Sequence, residues 1–554
     1  MPRDDHIDKP YLPNRKDFQL KKGTVMKSLM KKVFAAAAAI ATVFGLAATT
    51  VATANAADNA TLTVSTTDAK FAGKTVNAYK MFSATVSGDG KAVSYTLTDE
   101  WKPFFKNSVG LTGVTDENVN DKANDYVSKL KDSTLVAFAT KASNWAQTKT
   151  NNITADATAT VSKNAATDGK YTATFTGLGY GYYVVAVPGA TLANAKSQYA
   201  TLVSVHSTKV DADIKGDLPT VDKKVQVDGT GKDATDAKIG DTLTFTLTST
   251  IPDMSAYDTY TFNFKDTLSK GLTFGQVKSV KVENVTLTED TDYTVTTPTA
   301  SNNNTLTVAM KDFKTKQQAN AGKKITVTYT ATLNENAVVG GAGNVNSAKI
   351  QYSNNPSTNG TGESEPSKVR VFTYGFTVDK YTGDQYTDAA TRLAGAEFTL
   401  AHKDGSAISF VQVSAGSATA NAVYRVAKAG ETGTTTITTP ANGKVVFEGL
   451  KNGEYTLTET KAPAGYNKLA SAIGVKVNGQ NNGTDTTNAT VTITYNNDNG
   501  NDYNQTASNG VIPVQNKSGA ILPGTGGMGT IAFTVIGVLV IALGVAWTLK
   551  RKNA

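Results

Sequence analysis

Tyr455-Thr456-Leu457-Thr458-Glu459-Thr460-Lys461-Ala462-Pro463-Ala464-Gly465-Tyr466 alternates core-type side chains with threonine and then breaks at a proline and a glycine. Period-2 alternation that ends in such a break is the pattern of a half-buried β-strand running into a turn. On that strand Tyr455, Leu457 and Glu459 share one face, so a carboxyl group stands in the same row as two core side chains. Burying a carboxyl is costly unless it is neutral or partnered. Glu459 is therefore the residue in this stretch that asks for an explanation.

The same alternation recurs along the chain, in Thr61–Val64, Leu243–Leu247, Ile325–Tyr329 and Val491–Tyr495. β-Branched and aromatic residues punctuated by Gly, Asn and Asp predict an all-β protein of tandem immunoglobulin-like β-sandwiches. One region departs from this pattern. Between Asp116 and Gln147, Val119, Ala123, Tyr126, Val127, Leu130, Leu135, Phe138 and Trp145 recur at helical spacing. This predicts two amphipathic helices, or one broken near Asp132-Ser133, decorating the first domain. Short Pro-bearing joints at Asp217–Thr220 and Asn355–Ser367 separate three blocks, which should stack end to end as an elongated rod.

Both ends carry targeting features. From Met26 the chain reads Lys27, Lys31 and Lys32, an alanine-rich apolar run from Val33 to about Val51, and Ala54-Asn55-Ala56. A positive start, an apolar core and a small-x-small end make a secretory signal peptide, with mature chain from near Ala57 or Asp58. Residues 1–25 are polar and of mixed charge, which is unusual ahead of a signal, and Met26 is the expected start. At the other end Leu522-Pro523-Gly524-Thr525-Gly526 precedes an apolar run, 531–549, and Lys550-Arg551-Lys552. That run can just cross a hydrocarbon core of ~30 Å at ~1.5 Å per residue. The basic triplet favours the cytoplasmic side, leaving the preceding chain outside. The expected parts are an extension (1–25), signal (26–57), first domain (58–215), middle domain (216–368), third domain (369–518) and tail (519–554).

The 554 residues contain no cysteine, which leaves no disulfide and no thiolate metal site. Residues 1–57 carry +5 of the net charge of +8, and the tail after Thr525 carries the rest. The mature region is thus neutral, and nucleic acid is not an expected partner. His206 and His402 stand alone without metal-ligand spacing and read as surface residues. The Asn/Asp-rich 496–504 stretch could bind calcium but reads better as a polar hairpin loop. No metal, cofactor, phosphate loop or catalytic triad is expected.

The order of pentapeptide, apolar span and basic tail closely resembles the cell-wall sorting signal (LPXTG) of Gram-positive surface proteins. That resemblance implies a sortase that cuts between Thr525 and Gly526 and joins Thr525 to an amine. The Tyr455–Tyr466 stretch resembles the "E-box" of Cna B-type pilin domains. In that family a buried, neutral lysine on the first strand attacks the carboxamide of an asparagine on the last strand. A glutamic acid polarises the amide and relays protons, ammonia leaves, and an isopeptide bond remains. Phe376, Val378 and Lys380 alternate inward, as do Val514 and Asn516, so the resemblance implies Lys380, Glu459 and Asn516. The middle block resembles the Cna A-type domain, through Val221–Val225 and Phe264–Leu272. This implies Lys223 and Asn346 with Asp266 as the acid, and Lys224 and Asn344 as fallbacks. In the first block Gly177–Val185 resembles the E-box strand, but no Glu follows, so no internal bond is expected there. Thr75–Phe82 resembles the first pilin strand, with Lys80 toward solvent.

Together these features resemble the major (backbone) subunit of sortase-assembled pili. The family's Tyr-Pro-Lys motif, which supplies the amine for polymerisation, is missing. Lys215, or alternatively Lys209, occupies the equivalent region. The resemblance implies a structural shaft subunit at the cell surface that turns over no substrate of its own. Its implied partners are a sortase, copies of itself, accessory pilins and peptidoglycan. The alternative is a monomeric wall-anchored or tip adhesin that binds a host ligand.

Overall fold

The computed structural model describes residues 59–519 and 528–552, except 164–168, 193–196, 357–358, 385–387, 481–488 and 498–501. The described residues form six β-sheets, paired face to face into three successive sandwiches, with helices concentrated in the first. The architecture is all-β and tandem, as the alternation predicts.

In the first sandwich Ala60, Leu62 and Val64 point inward from the opening strand Ala60–Thr66. That strand lies parallel to the closing strand Lys209–Asp213, with Thr61 opposite Lys209 and Ser65 opposite Asp213. The helices Val119–Ser128 and Asp132–Gln147 are separate, and the break falls just before Asp132. They bury Val119, Ala123, Val127, Phe138, Ala142 and Ala146 against an aromatic cluster that includes Phe82, Phe105 and Tyr182. A further helix, Lys102–Asn107, was not expected. Its six residues are too few to display a helical period.

The middle sandwich opens with Asp222–Val227, which pairs with Thr242–Thr250, and that strand pairs in turn with Lys324–Leu333. Its other sheet sets Phe262–Leu268 beside Asn344–Ser353, which also pairs with Ser367–Phe372. One residue, Thr373, separates Ser367–Phe372 from Tyr374–Tyr381, the opening strand of the third sandwich. Two sandwiches therefore share a nearly continuous run of extended chain. Thr373 is fully buried there, and its hydroxyl donates to the carbonyl of Leu450 at 3.0 Å.

In the third sandwich Tyr374–Tyr381 lies parallel to the closing strand Val511–Gln515, repeating the arrangement of the first. The facing sheet contains Gly453–Lys461, the strand of Glu459, between Glu397–His402 and Ile473–Gln480. Its burial alternates as the sequence predicts, with Tyr455, Leu457 and Glu459 inside. After the third sandwich, Met528–Lys552 is a helix.

Candidate functional site

The middle sandwich buries a cluster of four polar side chains. Lys223 alternates inward with Val225, and in the adjacent strands of its sheet Phe245 and Tyr329 are directly paired. On the facing sheet the register sets Asp266 opposite Ala348 and Leu268 opposite Asn346. A two-residue step keeps side chains on one face, so Asp266 and Asn346 point into the same core. Lysine and tyrosine come from one sheet, aspartate and asparagine from the other, and all four are fully buried.

Lys223 Nζ contacts Asp266 Oδ2 directly and donates to the Tyr329 hydroxyl at 2.9 Å. Tyr329 donates to Asp266 Oδ2 at 2.6 Å, and Asn346 Nδ2 donates to the Tyr329 oxygen at 2.6 Å. Nζ also lies 5.2 Å from the centroids of the Phe245 and Tyr329 rings. Burial lowers the Lys223 ammonium to about 8, although Asp266 pulls in the opposite direction. Desolvation holds the Tyr329 hydroxyl well above its ordinary range. Asp266 Oδ1 and Asn346 Oδ1 are buried acceptors without a hydrogen-bond partner among the described residues. A proton on the carboxyl would supply the donor that such a pair lacks. The fallback residues are engaged elsewhere. Lys224 pairs with Asp233 at 2.5 Å, and the Asn344 amide is held by backbone groups of Val338 and Val371.

The third sandwich carries a second cluster built from different strands. The parallel register sets Lys380 opposite Val514, whose carbonyl accepts from Nζ at 3.2 Å. Nζ lies 3.4 Å from Glu459 Oε1 and 6.0 Å from the centre of the Phe398 ring. Asn516 Nδ2 donates to Glu459 Oε2 at 3.0 Å and to the carbonyl of Asn467 at 2.8 Å. The Leu469 N–H also donates to Glu459 Oε2, at 2.7 Å. Lys380, Glu459 and Asn516 are buried, and desolvation lowers Lys380 to about 8 against the pull of Glu459. Apart from the ion-pair contact of Glu459 Oε1 with Lys380, Glu459 Oε1 and Asn516 Oδ1 are again buried acceptors without a hydrogen-bond partner among the described residues. Adjacent Asp379 is a different case. Arg392 Nε lies 2.6 Å from it, which makes it part of a structural ion pair.

Each cluster brings an amine, a carboxyl and a carboxamide into one water-excluded place. A carboxyl beside an amide can polarise its carbonyl, and a lysine near pH 8 reaches its nucleophilic form far more readily than an exposed one. Tyr329 and the backbone groups of Asn467 and Leu469 were not anticipated. Tyr329 read only as the inward end of an alternating run.

In the first sandwich the buried polar side chains among the described residues are Ser143, Gln147, Thr172, Thr191, Gln198 and Ser204. No lysine–carboxyl pair is buried among them. Lys80 is half-buried, with Nζ 5.8 Å from the centre of the Tyr183 ring, and does not stand free in solvent. Lys209 and Lys215 are both exposed, the first at the start of the closing strand and the second just after its end. Lys215 sits between buried Ile214 and Gly216, where an added Cβ would lie 2.6 Å from the Tyr199 ring. His206 and His402 are half-buried; His206 Nδ1 lies 3.1 Å from Ser204 Oγ, and His402 packs on Tyr455. No metal-binding group of carboxylates and histidines occurs among the described residues.

Leu522, Pro523, Gly524, Thr525 and Gly526 lie outside the described residues, as do the signal region and 1–25. The 531–549 run falls within the helix Met528–Lys552, some of whose side chains are also outside them. Among the described residues no helix is long and apolar enough to cross a membrane.

Comparison with known proteins gives two family matches. Residues 239–356 match the Gram-positive pilin backbone subunit 2, Cna-B-like domain, and residues 384–492 match the SpaA prealbumin-like fold domain. The middle domain is thus described as Cna-B-like where the sequence reading expected the A type. The trypsin-resistant surface T6 protein of Streptococcus pyogenes serotype M6 is 25% identical over 279 residues. The match covers 46% of this chain and 44% of that protein, so the chain spans less than half the length of this relative. Among solved structures, the T6 backbone pilin of S. pyogenes is 18% identical with a TM-score of 0.44, over 84% of this chain and 99% of that one. The full-length major pilin SpaD of Corynebacterium diphtheriae is 20% identical with a TM-score of 0.39, over 84% and 98%.

Proposed function

We infer that this homologue of Gram-positive backbone pilins is the shaft subunit of a covalently polymerised, wall-anchored pilus. In this reading a sortase cuts after Thr525 and joins it to Lys215 of the next copy, with Lys209 as the alternative acceptor. Residues 26–57 direct export, 58–215, 216–368 and 369–518 are the three domains, and 519–554 is the sorting tail. Accessory pilins and peptidoglycan would be the other partners of the finished polymer.

The observation that carries the reading is the recurrence of one buried lysine–carboxyl–asparagine constellation in two different sandwiches. In each, the neutral Nζ attacks the asparagine Cγ, and the Nζ–Cγ bond replaces the Cγ–Nδ2 bond. Nζ loses one proton, Nδ2 gains one, and ammonia departs. Asp266 serves Lys223 and Asn346, and Glu459 serves Lys380 and Asn516. Each bond closes a loop of more than a hundred residues, which in the simple chain-entropy treatment is worth roughly 4–5 kcal/mol. A chain without cysteine gains cross-links this way in any redox environment.

Intact mass tests the internal bonds. Two bonds lower the mass of the chain by about 34 Da, one ammonia each, and peptide mapping should recover branched Lys223–Asn346 and Lys380–Asn516 peptides. An unmodified mass would sink both. Wall extracts probed for this protein should show a ladder of covalent multimers on denaturing gels. A single band would instead favour the monomeric adhesin.

A further inference from the structure

The two clusters differ in one group. In the third sandwich the carboxyl itself meets both partners, since Glu459 lies 3.4 Å from Lys380 Nζ and accepts from Asn516 Nδ2. In the middle sandwich the Asn346 nitrogen meets the Tyr329 hydroxyl, which also meets Lys223 Nζ and Asp266 Oδ2. Tyr329 is fully buried and stacks on Phe245 at 5.3 Å, so its hydroxyl is held in place from behind. Among the described residues no other side chain is hydrogen-bonded to Asn346 Nδ2.

We propose that Tyr329 is a second catalytic residue of the middle site beside Asp266, whose hydroxyl carries the proton from the attacking amine to the departing amide nitrogen. The proposal rests on the cross-linking reading above. Once Nζ has bonded to Cγ, the nitrogen bears a surplus proton and Nδ2 must gain one before it can leave. The Tyr329 oxygen lies within hydrogen-bonding distance of both nitrogens. It takes the proton from Nζ and gives its own to Nδ2, and ammonia leaves with the Cγ–Nδ2 electron pair. Tyr329 ends the step as it began it. Asp266 is then free to hold the amide oxygen, a task that Glu459 must combine with proton transfer in the third site. A tyrosine that merely filled space would make no difference to proton movement.

The full chain carries its own control, because among the described residues no tyrosine hydroxyl is hydrogen-bonded to Lys380, Glu459 or Asn516. Cell-free synthesis followed by timed mass spectrometry of the two branched peptides gives both rates in one sample. With Tyr329→Phe, which keeps the stacked ring, Lys223–Asn346 formation should slow by about a hundredfold while Lys380–Asn516 formation is unchanged. A middle-site rate within about twofold of the unsubstituted chain would overturn the proposal. Equal slowing at both sites would point to folding, and a chain made with 3-fluorotyrosine then decides, since it keeps every hydroxyl but makes it more acidic. Its middle-site rate and pH profile should shift while the third site stays constant, and an unshifted profile would overturn the proposal. Absence of the Lys223–Asn346 bond in the unsubstituted chain would instead defeat the cross-linking reading itself.

Discussion

Asn467 grips the end of the third sandwich from two sides. Its carbonyl accepts from Asn516 Nδ2 at 2.8 Å, and its N–H donates to the carbonyl of Lys517 at 3.0 Å. Tyr466 and Ser518 add a β-bridge, and the Gly519 N–H reaches the carbonyl of Gly465. The turn that follows the Glu459 strand therefore aligns the carboxamide and also fixes the chain just ahead of Leu522. Asn467→Pro removes the N–H that holds Lys517. Timed peptide mapping should show slower Lys380–Asn516 formation and an unaltered Lys223–Asn346 rate.

The clusters occupy separate sandwiches, so their chemistry should be separable. Glu459→Gln should abolish only the third-site bond and leave the chain about 16 Da heavier, the retained ammonia less about 1 Da for the substitution itself. Asp266→Asn should do the same for the middle site alone. Either variant should also unfold at a lower temperature by calorimetry, because an entropic clamp worth several kcal/mol is gone. Loss of both bonds from one substitution would contradict the independence.

The pH dependence follows from how many protons each pair holds. Burial brings Lys223 and Lys380 to about 8, so near pH 7 each lysine–carboxyl pair retains one dissociable proton. A neutral amine beside a protonated carboxyl has the same proton count as the ion pair, so the reactive form is not lost on the neutral side. Above about pH 8 that proton leaves, and formation rates should fall by roughly tenfold per pH unit. A rate that keeps climbing above pH 8 would mean that the free amine alone limits the reaction.

Lys215 and Lys209 can be told apart by gel. Lys215→Ala should abolish the covalent ladder in wall extracts, and Lys209→Ala should leave it intact. The reverse pattern would transfer the junction to Lys209.

Gly216→Ala tests whether the mounting of Lys215 matters. Its Cβ would fall 2.6 Å from the Tyr199 ring, whose hydroxyl is bonded to the carbonyl of Asp213 at 2.9 Å. The crowding should cost about 1–3 kcal/mol in the first sandwich, measurable as a lower melting temperature.

Much of this was legible because strand alternation reports burial directly. Lys223, Asp266, Asn346, Lys380, Glu459 and Asn516 each fall in a row with apolar residues, and all six are buried. Tyr329 was not legible as a participant. An inward tyrosine at the end of Ile325–Tyr329 is ordinary core, and only the packing of two sheets shows what its hydroxyl meets. The Lys102–Asn107 helix lacked a readable period. The roles of Asn467 and Leu469 depend on backbone groups, which leave no signature in residue type.

Lys215 follows the closing strand of the first sandwich and precedes Lys223 by eight residues. If pulling force enters a subunit there and leaves through Thr525, its covalent route runs to Lys223, across to Asn346, along the chain through Thr373 to Lys380, and across to Asn516. The first sandwich hangs beside that route. On that route it would carry no tension, which would give a mechanical reason for the absence of a buried lysine–carboxyl pair among its described residues. With both proposed bonds formed, the two sandwiches would make an almost inextensible line, so such a shaft would resist stretching through its chemistry and leave the first sandwich free to serve as packing between neighbours.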